Sequence, residues 1–455
     1  MTTSSKSVAE LLAEQAAALT VTNIPASVRA RTEELLIDMV GLCIASRNTD
    51  YINAVLASVD SGGPATAIGH AKTYSPETAA MINGTATHGE DFDDTFEGGP
   101  VHSSAVIMPA VLAAAERFDC DGHAALRGMV AGIEMLCRSS MVIPKAVHKA
   151  GFHPTGVLGA MASTLAVSVT LGLNRKQTVD ALGIAGSMAS GIIEYLAEGA
   201  WTKRLHAGWA AKIGIQAARL GQQGFLGPRT VFEGTHGLYF AFAHSAAGDY
   251  EVLTGDFGNK WFMDGITFKP YATGTMNQPY IDCALRLAKR GIQAEEVTDV
   301  LCETAEGYVH RLWEPLASKH RPANEYAAKF STPFNIAVAL VTGEAGLAAF
   351  TEKTASDERI LGLASKVRYV IDPNNPYPKA YTGHVRMTLK NGTVVEERQP
   401  HIRGGAQEPL TRAEIEAKFR LNCEFGGWNI KRISRFLSES PRFFDGTVDL
   451  AALRG

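Results

Sequence analysis

Apolar residues recur every three or four positions through much of the first half of the chain. This is the period of an α-helix, and it predicts helices at 28–47, 106–118, 123–140 and 156–171. Alanine and glycine occupy more than one face of several of these segments, as at 160–166. Because small side chains let helices approach closely, we expect a tight all-α bundle with some helices buried on all sides.

After about residue 266 the pattern changes to short runs rich in β-branched residues. Segments 297–304 and 366–371 have the length and composition of strands. Polar and apolar residues alternate at 384–390, and Asn391-Gly392 then leads into 393–396. This predicts a hairpin with a type I′ turn.

Helical periods also occur in this second half, at 279–290, 333–341 and 412–419, with Thr411 as N-cap of the last. At 455 residues the chain is too long for one ordinary core. We therefore predict a mainly α protein with a large helical domain (1–266), a smaller α/β lid with an antiparallel sheet (267–400), and a return to the helical domain (401–455).

Composition excludes several classes of protein. Apolar residues make up 46% and charged residues 20%, with a net charge of −4 and no basic stripe, which argues against nucleic-acid binding. Six scattered cysteines without a C-x-x-C pair indicate free thiols in a reducing compartment. Residues 1–7 lack a signal-peptide core, and no apolar run could span a bilayer. We expect a soluble cytoplasmic protein without membrane partners.

Four acidic residues crowd into five positions within the run His88-Gly-Glu-Asp-Phe-Asp-Asp-Thr95. Like charges this close raise one another's pKa, so a chain with no use for them would disperse them. One imidazole opens the run, and His102 follows it. The run indicates proton-transfer chemistry or a metal held by Asp91, Asp93 and Asp94. A solvated loop that caps a helix is an equal alternative.

His153 stands directly before a proline at the start of the predicted helix 156–171, in Gly151-Phe-His-Pro-Thr-Gly156. The helix dipole disfavours an imidazolium there, whereas the free backbone N–H groups favour anions. Two glycines bracket the motif and leave backbone open to a ligand. We therefore favour a functional histidine over one that only caps the helix.

Lys203 and His206 lie about one helical turn apart, so they can share a helix face. The run 207–211 that follows is small and apolar. A cation beside it is expected to bind a carboxylate rather than to form a solvated basic turn. Lys269 lies at the predicted domain junction, where ligand clefts are common.

Six motifs, in this order along nearly the whole chain, resemble the MmgE/PrpD family. They are Asp91-Phe-Asp-Asp-Thr95, the Gly-Phe-His-Pro-Thr-Gly motif, Thr202-Lys-Arg-Leu-His206, Lys269-Pro-Tyr271, Ala328-Lys-Phe-Ser331 and Pro409-Leu-Thr-Arg-Ala-Glu-Ile-Glu-Ala-Lys-Phe-Arg420. The resemblance implies the same fold, a homodimer, an active site between the two domains, and neither cofactor nor metal.

The resemblance and the helix spacing together give a set of candidate site residues. The catalytic candidates are Asp91, His102, His153 and Lys203, and the substrate-binding candidates are Thr95, Lys269, His206 and Gln278. Two positions depart from the family pattern: Gln278 stands where a histidine is common, and Phe334 where many members have tyrosine. Glutamine can hydrogen-bond but cannot exchange a proton near neutral pH.

These residues indicate proton chemistry on a small di- or tricarboxylate. Removing a proton beside a carboxylate creates an enolate-like dianion, which needs preorganised cations and donors. We expect Lys203 and Lys269 to bind carboxylates, Asp91 or His153 to act as base, and His102 as acid. Dehydration of a 2-methylcitrate-like substrate is the first expectation. The alternatives are epimerisation of an iminodisuccinate-like substrate, decarboxylation of a cis-aconitate-like one, and carboxylate binding without catalysis.

Overall fold

The computed structural model describes residues 6–455, which form two compact units. Unit 1 contains the described residues up to Gly89, together with Asp93–Ile266 and Arg412–Gly455. Unit 2 contains Thr267–Thr411 and the three-residue segment Glu90–Phe92, so the chain enters unit 2 twice. Residues 1–5, which belong to the segment 1–7 that is expected not to be a signal peptide, lie outside the described residues.

Unit 1 is helical. Its first thirteen helices are α1 (Val8–Ala17), α2 (Ala26–Ser46), α3 (Asp50–Ala57), α4 (Pro76–His88), α5 (Ser104–Phe118), α6 (Gly122–Val142), α7 (Ala146–Lys149), α8 (Pro154–Thr170), α9 (Arg175–Met188), α10 (Tyr195–Glu198), α11 (Thr202–Gln222), α12 (Leu238–Ala243) and α13 (Tyr250–Thr254). Three two-residue strands, β1 (Ala65–Thr66), β2 (Thr73–Tyr74) and β3 (Thr95–Phe96), lie between them. The helices predicted at 28–47, 106–118, 123–140 and 156–171 are confirmed as α2, α5, α6 and α8.

Small residues bring the central helices of unit 1 into close contact. Every residue of α8 is buried. A Cβ atom built on Gly84 of α4 would lie 2.7 Å from the Cα of Gly208 in α11. Glycine is therefore required where these two helices touch, and the predicted close packing is confirmed.

Unit 2 carries a four-stranded sheet in the order β6-β5-β7-β8. After the two-residue strand β4 (Ile266–Thr267), the sheet strands are β5 (Val297–Thr304), β6 (Val367–Ile371), β7 (Gly383–Leu389) and β8 (Val394–Gln399). The pairs β5–β7 and β7–β8 are antiparallel, as predicted, but β5–β6 is parallel. A parallel pair needs a crossover connection, and the helical stretch between β5 and β6 provides it.

The predicted hairpin is confirmed, but the predicted turn type is wrong. The Leu389 N–H donates to the carbonyl of Thr393 across a three-residue loop, and the Gly392 N–H donates to the carbonyl of Leu389. Gly392 has φ +80°, whereas Asn391 does not have a positive φ. A type I′ turn needs positive φ at both central residues, so this is a longer loop with glycine in the left-handed position.

The remaining helices complete both units. In unit 2 they are α14 (Gln278–Lys289), α15 (Glu306–Tyr308), α16 (Leu316–His320), α17 (Glu325–Ala328), α18 (Thr332–Thr342), α19 (Glu352–Ala355) and α20 (Glu358–Ala364). The chain then returns to unit 1 with α21 (Arg412–Phe425) and α22 (Ile430–Glu439). A buried ion pair between Lys418 and Asp38, with Nζ and Oδ1 2.8 Å apart, joins α21 to α2.

The structure is mainly α with a small sheet, so the predicted fold class is confirmed. All six cysteines are free, as expected. None of the helices within the described residues is both long and apolar enough to span a membrane.

Candidate active site

The end of α4 places His88 against Asp93, and both side chains are fully buried. His88 Nδ1 lies 2.7 Å from Asp93 Oδ2, and His102 Nδ1 lies 3.4 Å from the same oxygen. Burial lowers the pKa of His88 from 6.5 to about 4, although Asp93 opposes this shift. Burial also opposes ionisation of Asp93, but His88 and His102 outweigh it and hold its pKa well below the ordinary value. We therefore assign a carboxylate at Asp93 that accepts the Nδ1–H of a neutral His88.

His102 is oriented by the backbone of the acidic run. Its Nδ1 lies 2.8 Å from the carbonyl oxygen of Asp94. A carbonyl can only accept, so Nδ1 of His102 carries the proton and donates it there. In the neutral ring, Nε2 of His102 is then the nitrogen with a lone pair.

His153 is the N-cap residue of α8, but its side chain makes no capping hydrogen bond. Its Nδ1 instead lies 3.2 Å from Nδ1 of His206, one turn into α11. The alternative that this imidazole only caps the helix is therefore excluded. Burial lowers the pKa of His153 well below its usual range and that of His206 to about 4. Positive charge on His88 and Lys203 lowers both pKa values further.

The four rings form one contiguous group, which we call the histidine cluster: His88, His102, His153 and His206. The rings of His88 and His102 meet edge to face with centroids 4.6 Å apart, and those of His88 and His153 stack at 5.6 Å. Three of the rings are buried, and His206 is half-buried. At neutral pH the rings of His88, His153 and His206 are uncharged, so these three offer imidazole lone pairs rather than positive charge.

Lys203 supplies the positive charge beside the histidine cluster. It lies in the first turn of α11 and is only 8% exposed. Its ammonium lowers the pKa of His88, His153 and His206, after the larger effect of burial. A buried cation next to neutral imidazoles is suited to an anionic ligand.

Asp94 caps helix α5 from outside that helix. Its Oδ2 accepts from the backbone N–H of Ser103 at 3.0 Å and from the Ser103 hydroxyl at 2.6 Å. Its Oδ1 accepts from the backbone N–H and hydroxyl of Ser104. The interpretation of the acidic run as a solvated loop is wrong, because Asp91, Asp93, Asp94 and Thr95 are all buried.

In unit 2, the first two acids of the run pair with buried lysines. Lys269 Nζ lies 2.9 Å from Asp91 Oδ1 and 2.7 Å from the carbonyl oxygen of Asp91. Lys329 Nζ contacts Glu90 in the same way, at 2.5 Å from Oε2 and 2.9 Å from the carbonyl oxygen. Lys329 was not among the predicted site residues, although it lies in one of the quoted motifs.

Gln278 and its neighbours organise the chain that follows Lys269. The side-chain amide of Gln278 donates to the carbonyls of Tyr271 and Thr273 and accepts from the Tyr271 N–H. The Tyr271 hydroxyl donates to Asp282 at 2.6 Å, and burial raises the pKa of Asp282 to about 6. Participation of Gln278 and Lys269 in substrate binding stays a prediction.

The structure thus brings His102, His153, Lys203 and His206 together in unit 1, where Thr95 is also buried. It places Asp91, Lys269 and Gln278 in unit 2. His88 opens the acidic run, but the sequence alone predicts no role for it. Its spacing from Asp93, five residues on, was the signal that could have identified it.

Buried imidazoles beside a buried ammonium are groups suited to proton chemistry on an anion. Residues 10–250 match the profile of the MmgE/PrpD N-terminal domain, and residues 271–432 match that of the MmgE/PrpD C-terminal domain. The chain therefore belongs to the MmgE/PrpD family.

Relatives of this chain include two kinds of enzyme. Cis-aconitate decarboxylase of Mus musculus is 27% identical over 92% of this chain and 87% of its own length. Cis-aconitate decarboxylase of Aspergillus terreus (strain NIH 2624 / FGSC A1156) is also 27% identical, over 88% and 86%. The mitochondrial 2-methylcitrate dehydratase of Yarrowia lipolytica (strain CLIB 122 / E 150) is 26% identical over 60% of this chain and 53% of its own length.

Proposed function

We propose that this chain is a lyase that decarboxylates cis-aconitate or a closely similar unsaturated tricarboxylate. The observation that carries the proposal is the histidine cluster with Lys203 beside it. Similarity to the decarboxylase of Mus musculus extends over 92% of the chain, against 60% for the Yarrowia lipolytica dehydratase. This difference supports decarboxylation over dehydration, which was the first expectation from sequence.

The chemistry of this reaction matches the groups present. Loss of carbon dioxide from the methylene-borne carboxylate of cis-aconitate releases the electron pair of the broken C–C bond. That pair forms a new double bond, and the pair of the old double bond moves to the carbon beside another carboxylate. The charge there is enolate-like until the carbon takes up a proton, so the reaction needs a cation and a proton donor.

Lys203 is proposed to bind a substrate carboxylate and to stabilise the enolate-like charge. His102 and His153 are proposed to carry the proton. The imidazole of His153 is neutral without substrate, because burial holds its pKa well below the usual range. A bound polyanion raises the pKa of nearby imidazoles, so substrate binding and proton uptake are coupled.

Dehydration of 2-methylcitrate is the second candidate. A neutral imidazole can remove the proton beside a carboxylate, and the same ammonium can stabilise the resulting charge. The two reactions break different bonds, so identifying the products distinguishes decarboxylation from dehydration.

The test is an NMR screen in D₂O with cis-aconitate, citrate, 2-methylcitrate and iminodisuccinate. We expect cis-aconitate to lose one carboxylate carbon and its product to gain one deuterium at the carbon beside a carboxylate. Loss of water from 2-methylcitrate with all carbons retained would favour the second candidate. No turnover of any of the four compounds would contradict both.

A further inference from the structure

Three rings of the histidine cluster bring their nitrogens close enough to share one ion. One ring nitrogen each of His88, His102 and His153 lies within 4.8 Å of the other two, and all three side chains are buried. Nitrogens bound tetrahedrally at about 2.0–2.1 Å from Zn²⁺ are roughly 3.4 Å apart. Rotations that move each nitrogen by about 1 Å would therefore close the site around an ion.

Two of these rings already have the outer contacts that orient metal-binding histidines. The Nδ1–H of His88 donates to the carboxylate of Asp93, and the Nδ1–H of His102 donates to the carbonyl of Asp94. Metal-binding histidines commonly donate their second N–H to a carboxylate or a backbone carbonyl in this way. Each ring is left with an Nε2 lone pair for a ligand.

An unsatisfied atom points independently to a ligand. Within residues 6–455, the Nε2 atom of His88 is buried and has no hydrogen-bond partner. A buried polar atom without a partner is costly, and such atoms in native proteins call for an explanation. A bound ion at Nε2 would satisfy it.

We propose that His88, His102 and His153 form a binding site for a divalent transition metal of the Zn²⁺ class. We further propose that occupancy blocks proton transfer through His102 and His153; this second part rests on the proposed function. Three imidazoles select Zn²⁺, Cu²⁺ or Ni²⁺ over Mg²⁺ and Ca²⁺, which prefer oxygen ligands. Three protein ligands leave a fourth position for water or a substrate carboxylate.

The charges around the site act in opposite directions. The buried carboxylate of Asp93 stabilises a dication, and the ammonium of Lys203, whose field reaches His88 and His153, opposes it. Removing the ammonium with Lys203→Met is therefore expected to tighten metal binding. Asp93→Asn should weaken it by about 10- to 100-fold, because Asp93 orients His88 and contributes negative charge.

The test is isothermal titration of the untagged full chain with ZnCl₂, together with the absorption spectrum of the Co²⁺-loaded protein. We expect one ion per chain, visible d–d bands, and at least a tenfold weaker Kd in His88→Gln and in His102→Gln. His123→Gln is the matched control, because His123 is an exposed histidine of the same unit. Circular dichroism shows whether each variant is folded. If one of the two cluster variants does not fold, the Zn²⁺ affinity of the other and the Co²⁺ spectrum of the wild-type chain decide whether the site exists.

Absence of stoichiometric binding, or equal Zn²⁺ affinity in all three variants, would overturn the site. Turnover of the NMR-identified substrate should fall over the same Zn²⁺ concentrations at which the site fills. Unchanged or increased turnover at full occupancy would overturn the inhibitory part. If the wild-type chain turns over none of the four compounds, the proposed function fails, but the binding measurement still decides the metal site.

Discussion

At the scale of single residues, the acidic run is stable because each acid has its own partner. Glu90 and Asp91 meet lysine ammonium groups, Asp93 meets two imidazoles, and Asp94 accepts from hydroxyls and backbone N–H groups. Paired in this way, the charges do not have to be dispersed. The run is thus four separate interactions rather than one acidic patch.

Replacing Asp94 tests its role as the cap of α5. Asp94→Asn removes the charge that caps α5 and leaves only one acceptor oxygen for four donors, so the free energy of unfolding should fall by about 3 kcal/mol. Urea denaturation measures this change. Asp119→Asn, at the exposed C-cap of the same helix, is the control and should change stability by less than about 0.5 kcal/mol. Equal effects of the two substitutions would contradict the capping role.

The sequence supplied residue types and motifs, but not most of the partners. One alternative from the sequence was that the acidic run caps a helix, and Asp94 does cap α5. Ser103 and Ser104 lie close enough to it in sequence for that inference. Lys269 lies 178 positions from Asp91 and Lys329 lies 239 from Glu90. No local pattern encodes a pairing over such a separation, because it depends on how the whole unit folds.

At the scale of elements, the segment Glu90–Phe92 is tied into unit 2 by two lysines. Lys269 and Lys329 each bind both a side chain and a carbonyl of this segment. Asp91 has φ +55°, a left-handed conformation that is uncommon outside glycine. The ion pairs therefore hold a strained backbone in place.

A double-mutant cycle tests this anchor. Asp91→Asn or Lys269→Met alone leaves one member of a buried pair uncompensated and should destabilise the chain by about 3–5 kcal/mol. The double variant should be more stable than the sum of the single effects predicts, by at least about 1.5 kcal/mol. Denaturant unfolding of the four proteins gives the coupling free energy. Strict additivity would show that the contact does not stabilise the segment.

Helices and strands with strong periods were predictable, and their connections were less so. The helical period of the apolar residues predicted α2, α5, α6 and α8 correctly, because each of these helices buries apolar residues along its length. The parallel pairing of β5 with β6 was not predicted, since strand direction depends on the crossover between them. The hairpin turn was assigned the wrong type because Asn-Gly also occurs in three-residue loops.

At the scale of the whole molecule, the histidine cluster makes stability depend on pH. The pKa of His88 is about 4 in the folded chain and about 6.5 in an unfolded one, so the unfolded chain binds more protons between these values. Folding stability contributed by His88 is therefore complete above pH 6.5 and is lost as pH falls toward 4. Its full size is about 3 kcal/mol. Asp38, whose pKa burial raises to about 6, acts in the opposite direction.

His88→Gln isolates the contribution of this residue. Between pH 7 and pH 4.5, the free energy of unfolding should fall less in the variant than in the wild-type chain, by up to about 3 kcal/mol. Urea denaturation at the two pH values measures this difference. His123→Gln, at an exposed position, should keep the wild-type pH dependence. If His88→Gln keeps it too, burial of a neutral His88 is contradicted.

We propose that His153 and Lys203 carry the chemistry of a carboxylate lyase. The most direct measurement is kcat/KM by NMR in D₂O for the wild-type chain, His153→Gln, Lys203→Met and His123→Gln, with Tm recorded for each. We predict wild-type decarboxylation of cis-aconitate with a single deuterium in the product. We expect at least a 100-fold loss in the first two variants, wild-type activity in the third, and Tm values within a few degrees of one another. Folded His153→Gln and Lys203→Met variants with wild-type activity would contradict these roles.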